Sequence, residues 1–115
     1  MINLEKLVRD NSVIISTCSD GAPNIAPTSD TILLDKKTML ISHNEMKKTI
    51  DNIKKNPKIA LLILDKNQTG ARIFGKAEYF DSGKFLEKAR SLFADETTNP
   101  RGAIVVAIDE IREIK

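Results

Sequence analysis

The chain has 115 residues, with 18 lysines and arginines against 16 aspartates and glutamates, so its formal net charge is +2. This near balance argues against binding along a nucleic-acid backbone, and four phenylalanines, one tyrosine and no tryptophan offer few platforms for base stacking. A single cysteine excludes an intrachain disulfide, and no segment reaches the roughly 20 apolar residues of a membrane span. We therefore expect one cytoplasmic domain, residues 1–115, that binds neither nucleic acid nor membrane.

The first half of the chain alternates between short apolar runs and turns. Apolar residues at helical spacing predict a helix within 2–11, and the β-branched run 12–19 predicts a strand. An Asp-Gly turn precedes a long second strand over 24–35, in which Pro27 indicates an edge or a bulge. A third strand follows over 38–42, and because tight turns join the three strands, we predict an antiparallel meander.

The segment after the third strand predicts a second helix. Ser42 and Glu45 have the spacing of a capping box, with Asn44 as a rival N-cap. Apolar residues then recur on one helical face. The pair Asn56-Pro57 ends the helix, because the residue before proline avoids helical backbone angles.

The remaining chain adds strands and one more helix. The apolar run 58–64 predicts a central strand covered on both faces, and 71–80 predicts a long strand with a bend at Gly75. Helical spacing recurs over 81–95, and a sixth strand over 103–108 either continues into the charged end of the chain or stops there. Six strands with packed helices favour a small β-barrel over a doubly wound sheet, which needs regular alternation of strands and helices.

Two adjacent lysines lie where the second helix begins. A helix N-terminus carries about half a positive charge, so Lys47 and Lys48 are at the unfavourable end for helix stability. A bound anion would reverse that effect, because free amides, the Thr49 hydroxyl and two ammonium groups would converge on a phosphate, with Ser42 and His43 close by. The alternative is that these lysines are ordinary solvated charge.

No catalytic constellation accompanies this helix start. The only histidine, His43, and the only cysteine cannot form a zinc site, so we expect no metal. A Walker loop, a dinucleotide-binding fingerprint and a nucleophile elbow are also missing from the sequence. We interpret His43 as a neutral hydrogen-bonding residue rather than a catalytic base.

A series of short motifs runs through residues 8–80. In order, they are Asp20-Gly21 with Pro23, Pro27-Thr28-Ser29, a strand ending at Ser42, the pair Lys47-Lys48, the N-I-x-x-N-P run at 52–57, and I-F-G-K-A-E-Y-F at 73–80. Together, this order and spacing resemble the flavin mononucleotide (FMN)-binding split-barrel family, also called pyridoxamine 5′-phosphate oxidase-like.

The resemblance implies a mainly β fold with flanking helices, a six-stranded antiparallel split β-barrel, and a homodimer with FMN sites in clefts at its interface. By position, Lys48 and Thr49 would hold the phosphate, with Lys47 nearby. The ring system and the ribityl chain would contact two strand ends, Ala26, Pro27, Thr28 and Ser29 on one side and Ile41, Ser42 and His43 on the other. Gly70 lies in a turn that would reach across from the partner subunit.

The resemblance also implies a function. It indicates an FMN-dependent oxidoreductase or electron carrier with a nicotinamide or a redox protein as electron donor. The alternatives are a non-catalytic protein that binds or stores flavin or another phosphorylated ring compound, and a structural oligomer without a ligand. The family also has haem-binding and deazaflavin-binding branches, so haem and a deazaflavin are alternatives to FMN.

Two features depart from the family pattern. Many members have an arginine on the second strand that meets the phosphate, and this chain has none near Thr28. The chain also ends at Lys115 without the longer basic C-terminal region of the true oxidase. We therefore expect no oxidation of pyridoxamine phosphate.

Overall fold

A single antiparallel sheet with flanking helices makes up the protein. The structure is a computed structural model, and it describes residues 2–115. The seven strands have the order β2-β1-β5-β6-β7-β4-β3, and every neighbouring pair is antiparallel. The elements in chain order are α1 Leu4–Asp10, β1 Val13–Ser19, β2 Ala22–Thr28, β3 Thr31–Asp35, β4 Thr38–His43, α2 Lys47–Lys55, β5 Lys58–Leu64, β6 Gly70–Phe80, α3 Lys84–Phe93 and β7 Gly102–Ile114. The predicted mainly β class with flanking helices is confirmed.

The predicted second strand over 24–35 is in fact two strands. β2 pairs with β1 at one edge of the sheet, and β3 pairs with β4 at the other edge. Between them, the Asp30 N–H donates to Thr28 Oγ1 at 3.3 Å and the Asp30 carbonyl accepts from the Ser42 N–H at 2.9 Å. These bonds occupy the N–H and the carbonyl of Asp30, which a continuous strand would pair with a neighbouring strand, so the ladder is interrupted here. The strand count is therefore seven rather than six, and the prediction of a meander was wrong.

The helix α2 begins later than its predicted cap. Ser42 belongs to β4, where it is paired with Ala103 of β7, so it is not free to cap a helix. The N-cap of α2 is Met46, and no side chain caps it. The predicted capping box was therefore wrong, whereas the predicted end of the helix is confirmed by the extended backbone of Asn56.

The core fills the space between one face of the sheet and the helices α1 and α2. Alternate residues of β1 and β5 point into it, and a smaller cluster lies beneath α3. β5 is central, as predicted, but its second face, which carries Ala60 and Leu62, is only half-buried. The largest fully buried side chains are Ile15, Met39, Leu40, Ile41, Ile63, Ile73 and Ile104.

The long strands β6 and β7 hold the middle of the sheet together. β7 continues through the charged segment to Ile114, so the strand predicted over 103–108 extends into the charged end of the chain and does not stop before it. Their register shifts between Phe74 and Gly75, at the predicted bend. A Cβ atom at position 75 would collide with the carbonyl oxygen of Ala107, so only glycine fits there.

Polar side chains fix α2 over the β1–β2 hairpin. Asn52 Nδ2 donates to Thr17 Oγ1 at 3.0 Å, and both side chains are buried. Asn24 Nδ2 donates to Thr49 Oγ1 at 3.1 Å, in the first turn of the helix. Hydrogen bonds therefore set where the start of α2 lies relative to β2, in addition to apolar packing.

We predict that Thr17→Val destabilises the protein. The two side chains have nearly the same shape, but valine leaves the buried amide of Asn52 without its acceptor, which costs about 1–3 kcal/mol in free energy of unfolding. Urea denaturation measures this loss. The exposed control Ser91→Ala should change the free energy by less than about 0.5 kcal/mol. A Thr17→Val protein as stable as the wild type would contradict the assignment.

Candidate functional site

A cavity of about 320 Å³ opens where β2 and β4 end, and we call it the strand-end cavity. β2 and β4 lie near opposite edges of the sheet, so the sheet must curl for both to line one cavity. Four predicted site residues meet here: Pro27, Thr28, Ser29 and Ser42. The complete lining is Ser12, Pro27, Thr28, Ser29, Asp30, Ser42, Asn44, Glu45 and Met46.

Two buried polar atoms in the lining of this cavity have no hydrogen-bond partner within residues 2–115. They are the Ser42 hydroxyl, on a residue that is 1% exposed, and the Asn44 side-chain carbonyl. Asn44 Nδ2 donates to the Asp30 carboxylate at 3.2 Å, which fixes the orientation of the amide. A buried polar group without a partner costs about 1–3 kcal/mol, so a ligand that carries both a donor and an acceptor would satisfy the site.

The start of α2 adjoins the strand-end cavity through Met46. Its first turn has no side-chain cap and no acidic residue, so its amide hydrogens and positive dipole end are available to an anion. The two lysines, however, point to different sides. Lys48 shares its side of the helix with Asn52, which bonds to β1, whereas Lys47 shares its side with Lys54, whose ammonium lies 5.3 Å from the ring centre of Tyr79.

A second cavity of about 510 Å³ lies on the Lys47 side of α2, and we call it the His43 cavity. His43 Nδ1 lies 2.9 Å from the hydroxyl of Tyr79. Burial lowers the pKa of His43 below its ordinary value, and the positive charges of Arg101 and Lys54 lower it further. These contacts support the interpretation of His43 as a neutral hydrogen-bonding residue.

The remaining predicted site residues lie outside the strand-end cavity. Ile41 is fully buried in the core, and Ala26 packs against the core. Thr49 is also buried, and its hydroxyl accepts the hydrogen bond from Asn24. Gly70, which the resemblance assigns to the partner's contribution, lines a separate cavity beside α1.

Sequence reasoning missed Asp30 as a site residue and treated Asn44 only as a rival cap. Both line the strand-end cavity and bond to each other. The available signal was the polar triplet at 28–30 inside an apparent strand, which breaks the alternation expected of a continuous ladder.

Neither a metal-binding cluster nor a membrane-spanning helix occurs within the described residues. No group of three or more His, Cys, Asp or Glu side chains in residues 2–115 could hold a metal ion. None of the helices in this range is long and apolar enough to cross a membrane.

Comparison with known proteins identifies the family. The model of the family described as pyridoxamine 5′-phosphate oxidase matches residues 4–115. The chain belongs to the pyridoxamine 5′-phosphate oxidase family. An uncharacterized protein of Methanocaldococcus jannaschii is 36% identical over 115 residues, which cover 96% of this chain and 77% of that protein.

Solved structures agree with this family assignment. HupZ from Group A Streptococcus is 26% identical with a TM-score of 0.90, and the match covers 99% of this chain and 98% of that chain. An FMN-binding protein from Syntrophomonas wolfei subsp. wolfei is 19% identical with a TM-score of 0.84, covering 97% and 84%, so it bears on the fold alone. The predicted split-barrel fold of the pyridoxamine 5′-phosphate oxidase family is thereby confirmed.

We predict that His43 titrates below its ordinary pKa of 6.5. It is the only histidine, so its ring proton resonances in an untagged protein report its pKa by NMR without ambiguity. Arg101→Gln should raise the pKa toward 6.5 without reaching it, because burial is the larger cause. The control Lys55→Gln should leave the pKa unchanged, and a native pKa at or above 6.5 would contradict the geometry.

The same shift affects stability. Because folding depresses the pKa of His43, the contribution of this histidine to the free energy of unfolding is fully present above pH 6.5. That contribution is lost as the pH falls through the lowered folded value, since the unfolded chain takes up the proton first.

Proposed function

We propose that this chain binds FMN at a homodimer interface and acts as an oxidoreductase or electron carrier. The observation that carries the proposal is the pair of unpartnered buried groups, Ser42 Oγ and Asn44 Oδ1, in a cavity beside an uncapped helix start. Family membership and the fold shared with the FMN-binding protein of Syntrophomonas wolfei support the choice of ligand.

The strand-end cavity has the chemistry to receive the polar edge of the flavin ring. That edge carries one N–H donor between two carbonyl acceptors. The Asn44 carbonyl can accept from the N–H, and the Ser42 hydroxyl can donate to a ring carbonyl. Pro27 and Met46 supply apolar surface, and the backbone at Thr28 approaches from β2.

The phosphate is assigned to the start of α2. Lys48 lies in the first turn of the helix, on the side of Asn52, which bonds to β1, and next to the free amides, so it is the lysine that we assign to the phosphate. Lys47 faces the His43 cavity and contributes charge at longer range. The buried Thr49 positions the turn through Asn24, in addition to any contact it makes with the ligand.

Bound FMN itself supplies the electron or hydride transfer. The chain therefore has to bind and orient the ring and exclude water, and it needs no nucleophile of its own. A nicotinamide or a redox protein is the proposed electron donor.

An open apolar face of the sheet supports the homodimer. We call it the outer face and define it by six residues that the strand register places on one face of the sheet, around Ser16 and beside Arg72, namely Ile14, Ile25, Pro27, Ala60, Leu62 and Phe74. Ile25 is 72% exposed and Ile14 is 36% exposed, although both are large apolar side chains. Such a face marks an interaction site. Because Pro27 also lines the strand-end cavity, a second copy seated on this face would close that cavity.

We predict that FMN binds and that Lys48 contributes to binding. Isothermal titration calorimetry with FMN should give a binding heat, and the loaded protein should be yellow. Lys48→Ala should weaken binding by roughly 1.5–3 kcal/mol, about tenfold or more, because a charge-assisted hydrogen bond is lost.

Lys55→Ala is the matched control for this measurement. It lies on the same side of α2, seven residues on and roughly 10 Å along the axis, and it should leave the affinity unchanged. Equal effects at both lysines would mean that the phosphate lies elsewhere. If FMN gives no heat and a deazaflavin or haem does, the cofactor assignment fails.

Stopped-flow reduction separates redox function from storage. Reduced nicotinamide or a reduced redox protein is mixed anaerobically with the FMN-loaded protein, and loss of the visible flavin absorbance is recorded. Reduction that is faster than that of free FMN supports an oxidoreductase or electron carrier. A bound flavin that no donor reduces would favour storage.

We predict that Ile25→Glu abolishes the homodimer. A carboxylate would have to be buried in an apolar contact, which is costly without a partner charge. Size-exclusion chromatography with light scattering should show a dimer for the wild type, a monomer for the variant, and weaker FMN binding by that monomer. Leu92→Glu, at a 45% exposed position on α3, should stay dimeric. A dimeric Ile25→Glu protein would place the interface on another face.

A further inference from the structure

The strand-end cavity is acidic. Two of its lining residues carry carboxylates, the half-buried Asp30 and the exposed Glu45, and none of its lining residues is a lysine, an arginine or a histidine. The nearby cations Lys47 and Arg101 line the His43 cavity instead. A ligand in the strand-end cavity therefore meets negative charge that no lining cation offsets.

Asp30 is held firmly at this position. Its N–H donates to Thr28 Oγ1, its carbonyl accepts from the Ser42 N–H, and its carboxylate accepts from Asn44 Nδ2 at 3.2 Å. Within residues 2–115, no lysine or arginine forms an ion pair with it. The carboxylate is thus a fixed charge between the two strand ends, next to the unpartnered Ser42 and Asn44 atoms.

We propose that Asp30 makes this site discriminate between the redox states of its ligand, binding the oxidised flavin ring more tightly than the reduced ring. This inference rests on the proposed function. Two-electron reduction adds two electrons and one proton to the neutral ring, so the reduced ring is an anion at neutral pH. The Asp30 carboxylate repels that anion, whereas it leaves the neutral oxidised ring nearly unaffected.

The discrimination appears as a shift in reduction potential. The logarithm of the ratio of the two dissociation constants sets the shift in the reduction potential of bound FMN relative to free FMN. A tenfold ratio corresponds to about 30 mV for a two-electron couple. We expect reduced FMN to bind about tenfold more weakly than oxidised FMN, so that bound FMN is the stronger reductant. Such a site suits a donor of electrons to low-potential acceptors.

The test is a spectroelectrochemical titration of the full chain loaded with FMN, with dithionite as reductant. Asp30→Asn keeps the shape and an acceptor for Asn44 but removes the charge. It should raise the potential by about 30 mV, equivalent to a tenfold loss of discrimination, with little change in the affinity for oxidised FMN. Asp30→Glu keeps the charge and should retain most of the wild-type shift.

Asp35→Asn is the matched control. Asp35 is an exposed aspartate at the far end of β3, five residues and roughly 16 Å from Asp30, beyond the screening length of physiological salt. It should leave the potential at the wild-type value. A shift as large as that of Asp30→Asn would overturn the assignment to Asp30.

Two further results bear on the role of Asp30. If Asp30 only shapes the loop, Asp30→Asn changes both affinities equally and the potential stays constant, which overturns the inference while FMN binding stands.

If the variant does not fold, the wild type decides. Its reduction potential relative to free FMN should rise with ionic strength as the carboxylate is screened, and a salt-independent value overturns the inference. Absence of FMN binding by the wild type would overturn the proposed function together with it.

Discussion

The hydrogen bond from the Ser42 N–H to the Asp30 carbonyl is the constraint on which the site depends. The link at 29–30 carries the chain from one edge of the sheet to the other, and this bond ties the end of β4 to that crossing. The sheet connects β2 and β4 only through β1, β5, β6 and β7, whereas this bond links their ends directly. With it, the Asp30 carboxylate, the Ser42 hydroxyl and the Asn44 amide surround one cavity.

The helix α2 is positioned by polar contacts at a cost in stability. Buried amide–hydroxyl pairs at Asn52–Thr17 and Asn24–Thr49 hold it over the hairpin, where apolar side chains of similar volume would pack without any need for partners. Its first turn is left uncapped, and two groups nearby are buried without partners among residues 2–115. Such departures from local optimality concentrate at functional sites, because the ligand completes the interactions there.

Local features of this fold could be read from the sequence, and non-local ones could not. The bend at Gly75 and the end of α2 at Asn56 follow from backbone chemistry that one or two residues determine. The break at Asp30 was missed because apolar residues on both sides of it suit a single long strand, and only the pairing with β1 and β4 separates them. Strand order likewise depends on contacts between residues far apart in sequence.

The same distinction applies to the candidate site. The motif Pro27-Thr28-Ser29 and Ser42 were expected to lie together, and the structure brings them to one cavity. The adjacent lysines were expected to act together, but a helix turns by about 100° per residue, so Lys47 and Lys48 face different cavities or surfaces. Asp30 gave no signal in the sequence beyond its polarity, because its importance comes from what folding places around it.

The position of β7 has a consequence for how the protein is made. β7 lies between β6 and β4, so the hairpin of β3 and β4 has no neighbour on that side until residues 102–114 have left the ribosome. Hairpins such as β1–β2 and β3–β4 can form early from local contacts, but joining them requires loop closure over most of the chain, which makes folding slow. Until β7 is made, the nascent protein exposes the unpaired edge of β4. An unpaired strand edge can pair with other chains, so the protein is most vulnerable to aggregation at this stage.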